Sequence, residues 1–107
     1  DSQIAFYQAD AAVECGMYED ALLGKFPIDV SSSDVPATFY CGNDVLALSE
    51  AQSNYFVYEF QNLDQIRSCY KIIFDKTAQP YRVQGFGYNI CNPENPRQVE
   101  RALEVKY

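Results

Sequence analysis

The residues that could do chemistry in this chain are few. No histidine occurs among the 107 residues, so the usual proton-transfer group at neutral pH is missing. Cys15, Cys41, Cys69 and Cys91 have neither C-x-x-C spacing nor histidines to complete a zinc set, and no obvious base to activate a thiol. An even count in a short chain points instead to two disulfides and an oxidising compartment. Three pairings are possible; Cys15–Cys91 with Cys41–Cys69 is favoured, a bridge that closes a loop of a few tens of residues stabilising by about 3 kcal/mol in the chain-entropy model. The adjacent carboxylates Glu19 and Asp20 resemble acid–base equipment, but favourable charges in the first turn of a helix explain them better.

Two basic residues, Lys71 and Arg82, fall on neighbouring predicted strands and could form a small phosphate-binding spot. The plainer reading is cross-strand pairing with Glu59 or Asp75, worth well under about 1 kcal/mol if exposed. Tyr55, Tyr58, Tyr70, Tyr81 and Tyr88 offer surfaces for stacking bases or anchoring a protein, although strand alternation must turn about half of them into the core. Gly85 and Gly87 make no phosphate loop, since no helix follows directly; they read as a bulge or bend in the last strand.

The elements that must position these groups follow from periodicity. Ile4 to Tyr7 reads as a short strand. "MYEDALLGKF" reads as a helix with Tyr18, Leu22 and Phe26 on one face and Gly24 at its end. "ATFYC", "DVLALSE", "NYFVYEF", "CYKIIF" and "YRVQGFGYNI" read as strands, with Phe56, Tyr58 and Phe60 on one face of the third. "NPENPRQVERALEVKY" reads as a terminal helix, capped at Asn95 with Pro96 in its first turn. The expected fold is α+β, a single domain of residues 1–107, with an N-terminal helix on a twisted antiparallel sheet of about four to five strands and a short C-terminal helix.

Net charge is −7 but segregated. Residues 1–64 carry eleven acids against one base, Lys25, and residues 65–107 carry four acids against seven bases. The sign opposes tight, sequence-independent nucleic-acid binding, which rests on basic residues releasing counterions. No apolar run approaches the roughly 20 residues of a membrane-spanning helix. No cofactor is expected.

Three stretches carry a resemblance: "VPATF" at residues 35–39, "NYFVYEF" at 54–60 and "KIIFDKTAQPYRVQGF" at 71–86. Across roughly residues 17–91 the chain resembles the fungal guanyl-specific ribonucleases, and more closely the RNase-like effectors secreted by powdery mildew fungi. The terminal segment after Cys91 departs from that pattern, and "FYC" at residues 39–41 lies late for an effector's aromatic-x-Cys motif. The resemblance implies a microbial RNase-like fold, with the family's catalytic histidines falling on Ala37 and Phe86. It places the family's arginine on Lys71, and its glutamate near Val57, with Glu59 the nearest carboxylate.

Cleavage of RNA needs a base, an acid and positive charge on the phosphate. Lys71 supplies charge and Glu59 a base, but Ala37 and Phe86 cannot titrate, and each missing proton-transfer group typically costs 10²–10⁴ in rate. The expectation is therefore a secreted, catalytically inactive effector, delivered into host cells, monomeric, engaging host protein or weakly RNA through Tyr58, Lys71, Tyr81 and Arg82. The resemblance also implies recognition by plant immune receptors. Loops "SSSDVPA", "QNLDQIRS" and "DKTAQP" would set specificity. The competing class is a small secreted hydrolase or inhibitor that uses carboxylates as its acids and bases. A duller third reading, a structural wall or coat domain, predicts self-assembly.

Overall fold

A computed structural model describes residues 2–29, 34–61 and 67–107. Helix α1 (Ser2–Met17) runs into a π-helical turn (Tyr18–Leu22). Six strands follow: β1 (Thr38–Cys41), β2 (Asp44–Gln52), β3 (Tyr55–Phe60), β4 (Cys69–Asp75), β5 (Arg82–Tyr88) and β6 (Glu100–Lys106). They form one antiparallel sheet in chain order, each strand paired with the next. The fold is α+β, a helix on a sheet, with one strand more than the upper expectation. The tight β1–β2 and β2–β3 turns place Gly42 at φ 63° and Asn54 at φ 60°, the left-handed region that glycine and asparagine enter most readily.

Packing of α1 rests on small residues. Ala5, Ala9, Ala12 and Gly16, at helical spacings of four, three and four, are buried and lie over β5, with β4 and β6 to either side. The strand answers with Gly85 and Gly87. A Cβ on Gly85 would stand 2.6 Å from the Ala9 carbonyl oxygen, and one on Gly87 would overlap the Ala5 carbonyl. The two glycines therefore admit the helix backbone; β5 pairs continuously with β4 and β6, without the expected bulge. Beside this contact Phe26, Phe39, Phe56, Tyr58 and Phe74 form an aromatic core, with Phe26 stacked on Phe74 at 3.9 Å between centroids. Tyr58 donates from its hydroxyl to the Pro36 carbonyl at 2.6 Å.

Three sequence expectations are corrected. The Ile4–Tyr7 segment is helical: Ile4, Phe6 and Tyr7 lie on the outer side of α1, and the buried stripe is alanine, which carries little hydrophobic signal. The helix expected over "MYEDALLGKF" starts much earlier and ends sooner: only Met17, the last residue of α1, and the π-helical turn Tyr18–Leu22 are helical in this stretch. Tyr18 and Leu22 are exposed while Phe26 is buried beyond the helix end, so these three do not share a face. The terminal helix is β6. Asn92 and Asn95, instead of capping, accept from the Glu94 and Arg97 backbone N–H groups at 3.0 and 2.9 Å, local turns that compete with helix formation. Val99 to Lys106 then alternates along the free edge of β5.

The disulfides are Cys15–Cys41 and Cys69–Cys91, not the favoured pairing. Strand order excludes Cys41–Cys69, because β1 and β4 are separated by two strands, about 14 Å at ~4.8 Å per strand. Cys69 is instead the register partner of Tyr88, three residues before Cys91. Cys41 falls on the α1 side of the sheet, where Cys15 meets it. Among the described residues no helix is long and apolar enough to cross a membrane.

Candidate functional site

Alternation along the strands gives the sheet a covered face and an open one. Phe56, Tyr58, Ile72, Phe74 and Val83 face α1 and the core, so Glu59, Lys71, Phe86 and Tyr88 face the other way. Register places Glu59, Lys71 and Phe86 in one row across the open face: Glu59 opposite Lys71, Lys71 opposite Phe86. The row continues to Ala47 on β2 and Ala102 on β6. Ala37 stands apart, just before β1, its carbonyl accepting from Leu48 N–H at 2.9 Å.

Within that row Lys71 Nζ lies 4.8 Å from the centre of the Phe86 ring, a cation–π contact worth about 0.5–1 kcal/mol where exposed. Beside it opens a groove of about 390 Å³, floored by Cys69–Cys91 and walled by Glu59, Lys71, Tyr88, Gln98 and Glu100. Tyr88 donates a hydrogen bond to the Glu100 carboxylate. Burial first, then this bond and the negative charges of Glu100 and Glu59, push its phenol well above the ordinary tyrosine range. The groove can therefore offer hydrogen bonds and one cation. It holds no histidine, and its tyrosine is driven away from neutral titration. Among the described residues no cluster could hold a metal ion.

The other candidates are dispersed. Tyr58 is fully buried, and burial raises its phenol far above the usual range, so it offers no surface to a partner. Tyr70 is likewise buried and raised. Arg82 shares the open face with Lys71 but sits opposite Asp75, four residues or about 13 Å along β4. Its guanidinium meets Asp75 Oδ2 at 3.1 Å and Glu104 Oε1 at 3.7 Å, so it does not join Lys71 in a phosphate spot. Burial opposes ionisation of Asp75, but hydrogen bonds from the Thr77 hydroxyl and N–H, with the Arg82 charge, outweigh it and hold the carboxyl below its ordinary value. Tyr81 lies outside the groove, edge-on to Tyr107 at 6.0 Å and beneath Lys76 Nζ.

Glu19 and Asp20 occupy the π-helical turn at the end of the helix, not its start, and both are buried. Asp20 Oδ1 accepts from Lys76 Nζ at 2.7 Å, and the same ammonium donates to the Phe26 carbonyl at 2.6 Å. Asp20 Oδ2 is buried and has no hydrogen-bond partner among the described residues. Burial raises the Asp20 pKa, and Lys76 offsets that only in part. Glu19 Oε2 meets Lys25 Nζ at 2.9 Å, without hydrogen-bond alignment. The Asp20–Lys76 ion pair is a structural clamp joining the helix end to the β4–β5 turn, whereas Glu19 pairs locally with Lys25.

Sequence reasoning missed Gln98 and Glu100, because both lay in the expected helix. The apolar–polar alternation of Leu103, Glu104, Val105 and Lys106 was the available signal. Of the specificity loops, residues 31–33 and 62–66 lie outside the described residues. Comparison with protein-family models, with curated sequences and with solved structures finds no match for this chain.

Proposed function

We propose that this protein is a secreted, non-catalytic effector on a ribonuclease-like scaffold that recognises a host macromolecule through the open face of its sheet. One observation carries the reading: Lys71 and Phe86, two positions that the ribonuclease resemblance singles out, stand side by side in one cross-sheet row with Glu59, the carboxylate nearest the resemblance's glutamate position. In that row the residues at the acid and phosphate positions are Phe86 and Lys71, with the lysine lying over the phenyl ring. A surface of this kind binds, through charge, stacking and hydrogen bonds, without transferring protons. Two disulfides agree with an oxidising compartment.

The test is RNA cleavage and binding by the oxidised protein on single-stranded RNA containing all four bases. No cleavage is expected, with weak binding that falls as salt rises and that Lys71→Ala abolishes. Absence of both cleavage and binding would turn the search to host proteins on the same face. Cleavage that copurifies with the protein and is lost with Lys71→Ala overturns the reading. The competing carboxylate-hydrolase reading is favoured by one fact, that Glu59 and Glu100 line the same groove. Turnover on an oligosaccharide panel, lost in Glu59→Gln, would establish it instead.

A further inference from the structure

Strand β6 closes the sheet, so among the described residues one of its backbone edges has no partner strand. Hydrogen-bond parity fixes which groups are free. Tyr81 and Tyr107 exchange both backbone hydrogen bonds at 2.8 Å. In an antiparallel ladder such pairs alternate with non-bonded ones, so Val105, Leu103 and Arg101 turn their N–H and C=O groups toward β5. Glu100, Ala102, Glu104 and Lys106 turn theirs outward, and the side chains of all four are exposed.

We infer that this edge is a self-association site, where a second copy of this chain pairs antiparallel with β6 and joins two sheets into one. The charge pattern selects the occupant. Outward groups must meet outward groups, which leaves three central registers. Setting Ala102 against itself brings Glu100 against Glu104 twice. Setting Glu104 against itself opposes like charges on the two-fold axis. The third register sets Leu103 against Leu103 on the axis, Ala102 against Glu104, and Glu100 against the partner's Lys106 on both sides. Opposite charges facing across strands stabilise pairing and like charges oppose it, so one register is self-complementary.

Edge charges ordinarily keep sheet edges apart; here the same charges match a second copy. Lys106 has no ion-pair partner within its own chain among the described residues. Charge segregation favours the same edge: residues 1–64 hold the acidic surplus, whereas β6 carries two acids and two bases. Glu100 also walls the groove, so the partner's Lys106 would add a cation at its rim. A dimer replaces the monomer expected from the sequence, and its existence does not depend on whether the open face binds RNA.

Sedimentation equilibrium of the oxidised protein tests the proposal. The 12.2 kDa chain is expected at twice that mass at high concentration. Ala102→Pro removes an outward N–H while leaving the ladder to β5 whole, and Lys106→Glu reverses one charge. Each is expected to weaken dimerisation at least about tenfold, with melting of the monomer checked by circular dichroism. Glu100→Lys combined with Lys106→Glu restores the opposite-charge pairs and is expected to recover the original constant within about threefold. A wild-type chain that remains monomeric to about 1 mM overturns the inference. So does a dimer indifferent to Lys106→Glu, or one that the charge swap fails to restore.

Discussion

The two faces of the sheet are built on opposite principles. On the covered face closeness does the work: Gly85 and Gly87 meet Ala5 and Ala9, and the Cys15–Cys41 bridge ties the helix end to β1. On the open face the strands carry Glu59, Lys71, Phe86 and Tyr88, and the Cys69–Cys91 bridge floors a groove instead of a helix contact. One bridge serves each face because alternation sends Cys41 to the helix side and Cys69 to the other. Substitutions should therefore separate cleanly, stability following the covered face and binding the open one.

The largest expected effect lies at the clamp below the helix. Lys76→Met leaves Asp20 buried without its cation and should cost about 3–5 kcal/mol in urea unfolding. Adding Asp20→Leu should recover most of that loss, as expected when both members of a buried pair become apolar. Next comes Gly87→Val, whose branched side chain would sit on the Ala5 carbonyl; a loss of about 3 kcal/mol is expected, while an unchanged melting temperature would show the helix free to move away.

Removing either disulfide by paired Cys→Ser changes should cost about 3 kcal/mol, the loops being of similar length at 26 and 22 residues. Only loss of Cys69–Cys91 should also alter binding at the groove; equal effects of both removals on binding would break the comparison. On the open face Lys71→Ala should cost no more stability than the cation–π contact it removes, about 0.5–1 kcal/mol, while removing the binding it supports.

The smallest effect is on pH dependence. Asp75 has a folded pKa below its ordinary 3.8, so its stabilisation is present above that value and is lost as pH falls through the folded one. Asp20 is shifted upward; its relative stabilisation is present below 3.8 and is lost as pH rises through its folded value. Asp75→Asn should make the acid limb of the stability curve shallower, whereas Asp20→Asn should flatten the limb above it. Equal slopes in all three proteins would mean that neither carboxyl titrates differently on folding.

Much of the sheet was legible in the chain. The aromatic alternation of Tyr55 to Phe60 and of Cys69 to Asp75 states a strand and its faces without reference to anything distant, because side-chain period is a local property. The row of Glu59, Lys71 and Phe86 needed register, which the short turns between neighbouring strands largely fix. α1 was hidden because its buried stripe is alanine and glycine while Ile4, Phe6 and Tyr7 point outward, inverting the usual amphipathic signal. β6 was hidden because residues 95–98 have good helix-start chemistry.

The sequence by itself determined the absence of histidine, the segregation of charge and the presence of two bridges, all of which are matters of composition. It also determined which side chains share a face of β3 and β4, since alternation is set within each strand. Only the tertiary structure decided the disulfide pairing, the burial of Asp20 beside Lys76 and the strand state of residues 100–106. Each of these depends on a neighbour distant in the chain: β5 offers a free edge to β6, β1 lies too far from β4, and the turn after β4 brings an ammonium to a carboxylate. Local propensity cannot supply such partners.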